Sequence, residues 1–185
     1  DGAYEATPDE SAASLALKRV GIAGEMAVSR GVDDLPPMLA PLRGPKNMEG
    51  VRLWWLMEEY EYVYEATCEL VTVPKNFVTD LASIPAVVRA RHNPADFAEA
   101  ALVHDWLYAV GPANTRPKID QVFLALMLET NIEEGKANEV YRAVRIGGND
   151  GYGKREDFSF FDPKDRKVRL GAKKPQDVFK KTICD

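Results

Sequence analysis

The sequence predicts an α+β fold, in which a small antiparallel β-sheet or hairpin is followed by a three-helix core. Two observations carry this prediction. Aromatic and β-branched residues dominate residues 51–73, which is typical of strands. Apolar residues then recur at helical spacing over residues 93–148. A helical and Pro-rich N-terminal arm precedes this core, and a basic C-terminal tail follows it.

The strand region divides into three predicted segments. Residues 51–57 and 60–68 are separated only by Glu58-Glu59, which favours a hairpin or meander. Residues 69–73 form a further strand, and Pro74 ends it because proline cannot donate to a strand ladder. Residues 74–85 then read as a loop.

Three helices are predicted after this loop. Asn93 caps the first helix, Pro94 occupies its first position and Gly111 ends it. The second begins near Arg116-Pro117 and runs over residues 119–132, and the third covers about residues 135–146.

Three units follow from this pattern. Residues 1–46 are an N-terminal helical segment and Pro-rich linker, because an Ala-rich stretch precedes prolines that favour an extended, semi-rigid chain. Residues 47–150 form the core domain. Residues 151–185 form a charged C-terminal extension.

Charge and composition limit the possible partners. The net charge of −5 over 185 residues offers no basic field for nucleic acid, and no apolar stretch is long enough for a transmembrane helix. Residues 1–34 carry seven acids and three bases, whereas residues 164–181 carry eight bases and two acids. Such a basic end is either a solubilising tail or a docking arm. Cys68 and Cys184 either form one disulfide or remain two thiols.

The candidate site begins with His104-Asp105-x-x-Tyr108 on the first predicted helix. His104 and Tyr108 are four residues apart and share a face, while Asp105 is rotated by about 100°. An imidazole serves as a general base near neutral pH, and a neighbouring carboxylate suits a hard cation such as calcium. These two side chains therefore flank one cavity with separate roles.

Two further acids complete the predicted site. Asp120 lies on the apolar stripe of the second helix, where an acid needs a partner, and His104 is the expected one. Asp80, in the preceding loop, is a candidate oxygen ligand for calcium. The alternatives are a buried packing network around His104 and a surface pair between Arg116 and Asp120.

One resemblance rests on several motifs. Phe77-x-Thr79-Asp80-Leu81-Ala82-Ser83-Ile84-Pro85, Ala101-Leu-Val-His104-Asp105-Trp-Leu-Tyr108, Arg116 and Asp120-x-x-Phe123 look like a bacterial and phage family. That family is domain of unknown function thirteen fifty-three, and the resemblance covers about residues 50–148. It implies no activity.

A more distant resemblance suggests chemistry. His-Asp-x-x-Tyr on a helix is similar to the catalytic helix of phospholipases A2, and the segment from Lys118 to Phe123 looks like the second helix of their secreted bacterial and fungal forms. The resemblance implies that His104 deprotonates a water, Asp120 orients His104 and Tyr108 supports the acid. It also implies that Asp80, Asp105 and the Leu81 carbonyl bind calcium. Alanines stand where those enzymes carry cysteines beside the His-Asp pair.

Two functions are therefore expected. The first is a calcium-dependent acyl-ester hydrolase of phospholipase A2 type, acting on a phospholipid or another ester. The alternative is a non-enzymatic phage or bacterial structural or assembly protein, which would assemble through residues 1–46 and 164–185. A virion-associated, secreted or periplasmic location is favoured over a cytoplasmic one.

Overall fold

The computed structural model of the protein describes residues 35–46, 50–81, 93–154 and 156–184. The N-terminal helical segment expected before residue 31 lies outside these ranges. The described elements are the strands β1 (Leu39–Lys46), β2 (Arg52–Leu56), β3 (Tyr60–Tyr64), β4 (Glu69–Val73) and β5 (Val78–Thr79), the helices α1 (Ala98–Val110), α2 (Arg116–Glu129) and α3 (Glu134–Gly147), and the strands β6 (Ser159–Asp162), β7 (Lys167–Leu170) and β8 (Lys180–Lys181).

The strands form three small antiparallel sheets, with the orders β1-β2-β5, β3-β4-β8 and β6-β7. Three consecutive helices pack beside them, so the predicted α+β class is confirmed. Among the described residues, no helix combines the length and the apolar character that crossing a membrane requires.

The strand pairing differs from the hairpin expected around Glu58-Glu59. β2 pairs with β1 and β5, while β3 belongs to a different sheet and pairs with β4. The hairpin turn instead lies between β3 and β4, where Thr67 N donates to Tyr64 O at 3.3 Å and Cys68 adopts a φ of 49°. A two-residue hairpin turn favours Gly, Asn or Asp, and Glu58-Glu59 supplies none of them.

Part of the expected Pro-rich linker is a strand. β1 pairs with β2 through Leu39↔Leu56 and Pro41↔Trp54, and its register becomes irregular between Pro41 and Lys46. Proline is tolerated because β1 lies at the edge of its sheet, where one side of the strand needs no donor. Cross-strand pairing therefore holds this extended, Pro-rich segment against β2.

The helices follow the local signals in the sequence. The Asn93 side chain accepts from Ala95 N at 3.2 Å and opens a 3-10 turn, Pro94–Phe97, that leads directly into α1. Gly111 ends α1 in the left-handed region with a φ of 61°. A Cβ at Gly111 would lie 2.4 Å from the Gly153 Cα, so only glycine permits this close approach of two backbones.

α1 lies in the centre of the core and is buried on nearly all sides, because its alanines and leucines face sheet and helices alike. Residues of the expected C-terminal extension also enter this core: Phe158 and Val178 are both buried there. A disulfide joins Cys68 to Cys184, next to the pairing of β8 with β4. The segment after residue 150 thus packs on the core instead of extending from it.

Candidate functional site

A buried histidine–carboxylate pair lies between α1 and α2. His104 is 2% exposed and Asp120 is fully buried. The His104 Nε2 atom lies 3.1 Å from the Asp120 Oδ1 atom, within hydrogen-bond distance. The short turn from Gly111 to Thr115 joins the two helices and allows their faces to meet. The structure therefore brings these two predicted residues together.

Tyr108 contacts both members of the pair. Its hydroxyl donates to Asp120 Oδ1 at 2.7 Å, and its ring centroid lies 4.1 Å from that of His104. The Phe123 ring lies 4.6 Å from His104 as well. Because two aromatic rings and one carboxylate surround the imidazole, its plane is held in one orientation.

Two arginines extend the pair into a larger cluster. Arg145, on α3, donates from Nη1 to Asp120 Oδ2 at 3.0 Å. Arg116 donates from Nε to the Tyr108 hydroxyl at 3.0 Å, and from Nη2 to the Arg145 carbonyl at 2.9 Å. We call His104, Tyr108, Arg116, Asp120 and Arg145 the His104 network. It ties all three helices together through side-chain contacts.

Sequence reasoning missed Arg145 as a member. It gave Arg116 as a motif residue of the family resemblance and as a surface partner of Asp120, but not as a partner of Tyr108. Arg145 lies 25 residues after Asp120 on a different helix, so no local spacing links them. Gly148 was missed as well: a Cβ there would lie 2.7 Å from the Tyr108 hydroxyl. The missing side chain of Gly148 therefore makes room for the network.

The charges of the network follow from burial and hydrogen bonding. Burial lowers the pKa of His104, and the contact with Asp120 opposes this effect without reversing it. Burial raises the pKa of Asp120, but hydrogen bonds from His104, Tyr108 and Arg145 lower it overall. Burial also raises the pKa of Tyr108. At neutral pH the cluster thus holds a neutral imidazole, a carboxylate and a protonated phenol.

Two of the predicted calcium ligands, Asp105 and Leu81, contact Thr79. Asp105 Oδ2 accepts a hydrogen bond from the hydroxyl of Thr79, which is buried on β5. Leu81 has a φ of 53°, and its N donates to the same Thr79 hydroxyl oxygen at 2.9 Å. Thr79 therefore ties the loop to α1. Asp157 lies near Asp80, whose charge adds to burial in raising the pKa of Asp157.

The donor set suits calcium in kind but falls short in number. Carboxylate and carbonyl oxygens are what calcium prefers, and it takes six to eight of them. Asp80, Asp105 and the Leu81 carbonyl supply fewer, and Asp105 already accepts from Thr79. Within residues 35–46, 50–81, 93–154 and 156–184, no three His, Cys, Asp or Glu side chains are grouped as metal ligands. Calcium binding therefore stays a prediction.

Helices α1 and α2, most of α3 and four of the five residues of the His104 network lie within one region of recognisable sequence. Residues 54–144 match a known family. The family is described as a protein of unknown function, DUF1353. This match includes His104, Tyr108, Arg116 and Asp120 but ends one residue before Arg145. No curated protein and no solved structure matches the chain significantly. The DUF1353 description names no activity.

Proposed function

We propose that the protein hydrolyses an acyl ester, with His104 as the general base and Asp120 as the group that orients it. The observation that carries this proposal is the 3.1 Å contact between His104 Nε2 and Asp120 Oδ1. A general base needs a neighbouring group that selects its tautomer and holds its ring. A buried carboxylate on the next helix does both.

The proton positions support this role. When Nε2 donates to ionised Asp120, the lone pair of the neutral ring is on Nδ1, and general-base catalysis requires this atom to take the proton of an attacking water. Asp120 then faces the imidazolium and stabilises it without accepting the proton itself. Tyr108 supports the carboxylate, because its hydroxyl donates to the same oxygen as His104.

The substrate class comes from the resemblance to phospholipases A2, which makes a phospholipid or another acyl ester the first choice. Calcium, if bound by Asp80, Asp105 and the Leu81 carbonyl, would polarise the ester carbonyl. The disulfide between Cys68 and Cys184 supports a virion-associated, secreted or periplasmic site of action, because disulfides persist in oxidising compartments.

The test measures fatty-acid release from phosphatidylcholine and phosphatidylglycerol vesicles, and from a soluble dodecanoyl ester, with calcium and with a chelator. We expect His104→Gln to lower the rate by about 10² to 10⁴, the usual contribution of a general base. Glu129→Gln is the matched control, because Glu129 is an acid of α2 that accepts from Tyr62 at 3.2 Å, outside the His104 network. No release from any ester by the folded wild-type protein overturns the proposal.

A second candidate function is favoured by the number of side chains that contact the buried Asp120 carboxylate. Asp120 is fully buried and is contacted by His104, Tyr108 and Arg145, which belong to two other helices. Such an arrangement also suits a non-enzymatic structural or assembly protein of a phage or bacterium, in which the cluster fixes helix packing. In that case His104→Gln lowers the stability of a protein that hydrolyses nothing. Calorimetry beside the ester assay separates the two functions.

A further inference from the structure

A groove lies between the β1–β2 pair and the β6–β7 hairpin, and none of its lining residues comes from the helices of the His104 network. Its volume is about 390 Å³, within the range of small-ligand sites. Trp55 and Phe161 form its aromatic wall, with ring centroids 4.8 Å apart, and Leu42 and Val168 add aliphatic surface.

Two exposed arginines, Arg43 and Arg166, also line this groove. Neither forms an ion pair with any residue in the described part of the chain. Arg169 of the same hairpin, by contrast, lies 3.6 Å from Asp162 and also contacts Asp165. Within the part of the chain that the structure describes, these two guanidinium groups have no ionic partner, and their planar donor sets match a carboxylate or phosphate.

Two exposed methionines lie beyond the groove, where the pairing of β1 with β2 continues past the ends of the strands. Trp55 pairs with Ala40, and Met57 N donates to Met38 O at 2.8 Å. Met57 and Met38 each lie one residue outside their strands, and because this hydrogen bond continues the register, alternation places Met57 on the face of Trp55 and Met38 on that of Ala40. Met38 is 53% exposed and Met57 is 37% exposed. Flexible methionines at the end of an aromatic wall suit an aliphatic chain.

The shape of β1 argues against a peptide partner. An extended peptide would add to the exposed edge of β1, but Pro41 lacks an N–H and the register is irregular from there to Lys46. Nucleic acid is disfavoured by the net charge of −5. A ligand that has both an acidic group and an aliphatic chain matches the two arginines and the two methionines together.

We infer that this groove binds a single-chain anionic amphiphile, with its acidic group at Arg43 and Arg166 and its chain along Trp55 towards Met38 and Met57. The site goes beyond the proposed hydrolysis and does not depend on it. A fatty acid, which ester hydrolysis would release, belongs to this ligand class.

The test titrates the full chain calorimetrically with dodecanoate below its micelle concentration. We expect one site, and a loss of about tenfold in affinity for each of Arg43→Gln and Arg166→Gln, as expected when one charge-assisted hydrogen bond is lost. Arg142→Gln is the matched control and leaves affinity unchanged, because Arg142 is exposed on α3 and also has no ion pair among the described residues.

A second pair of variants tests the apolar part. Met57→Ser weakens binding by threefold or more through loss of buried apolar surface, whereas Ile146→Ser, at a side chain 85% exposed on α3, does not. Butyrate should bind at least tenfold more weakly than dodecanoate. These variants are on the surface, and unchanged melting temperatures confirm that they fold.

Several results would overturn the assignment. Equal losses from Arg142→Gln and Arg43→Gln would show attraction by net charge alone, and equal binding of butyrate would show a simple anion site. Binding to phosphatidylglycerol vesicles without binding to monomeric dodecanoate would assign the groove to a bilayer surface. Because dodecanoate is not an ester, its binding is unaffected by His104→Gln, and failure of the hydrolase proposal leaves this result intact.

Discussion

Replacing Asp120 with Asn removes one negative charge from the centre of the helical core while nearly preserving shape. Tyr108 and Arg145 each donate to this carboxylate, at 2.7 and 3.0 Å. A hydrogen bond to a charged group contributes about 1.5–3 kcal/mol, and the contribution of Arg145 is smaller because its side chain is 39% exposed. Arg116, 19% exposed, also loses its counter-charge. We therefore expect Asp120→Asn to lower the free energy of unfolding by about 3 kcal/mol.

Urea denaturation followed by circular dichroism measures this loss by linear extrapolation. Asp96→Asn provides the matched control, because Asp96 pairs with Lys136 at 2.8 Å but has a side chain 42% exposed. An exposed ion pair is worth less than about 1 kcal/mol, so this variant should change stability little. If Asp120→Asn costs under 1 kcal/mol, or no more than Asp96→Asn, the network does not stabilise the helices as described.

Three further predictions use other features of the structure. Because the pKa of Asp120 is lowered in the folded state, this carboxylate contributes stability above the unfolded-state pKa of about 4, and the contribution is lost as pH falls through the folded-state pKa. Asp120→Asn should therefore flatten the acid side of a curve of unfolding free energy against pH, measured by urea denaturation. Cys184→Ser should lower the free energy of unfolding by about 2–5 kcal/mol, because the disulfide spans 116 residues. Calorimetry with and without reductant should show a reductant effect in the wild-type protein and none in this variant. Gly148→Ala should destabilise the folded protein by about 1–3 kcal/mol, because the added Cβ would meet the Tyr108 hydroxyl. Gly147→Ala should not, because no atom lies within 4 Å of a Cβ at that position. Equal melting temperatures for the two variants would contradict the close packing at Gly148.

The helices were predictable because their signals are local. Asn93 and Gly111 mark the ends of the first helical segment by backbone preferences that act within a few residues. His104 and Tyr108 share a face through helical spacing alone. Asp120 stood out because an acid on an apolar stripe requires a buried partner, and a short turn limits which helix can supply it.

The sheets were harder to predict because strand pairing is non-local. Residues 51–73 have strand composition, but composition does not state which strand pairs with which. The partner of β2 is β1, whose prolines favoured a linker, and the partner of β4 beyond β3 is β8, more than 100 residues later. Each pairing depends on apolar surface that the side chains of two strands bury together. The two strands are separated in the sequence, so no short segment contains both of them.

By itself, the sequence determined the α+β class, the ends of the first helical segment and the shared face of His104 and Tyr108, because each follows from patterns within one segment. Only the tertiary structure decided that Arg145 and Arg116 complete the network around Asp120, that Cys68 bonds Cys184, and that the tail packs on the core. These contacts join distant parts of the chain. They form when the burial of apolar surface brings the helices and sheets together.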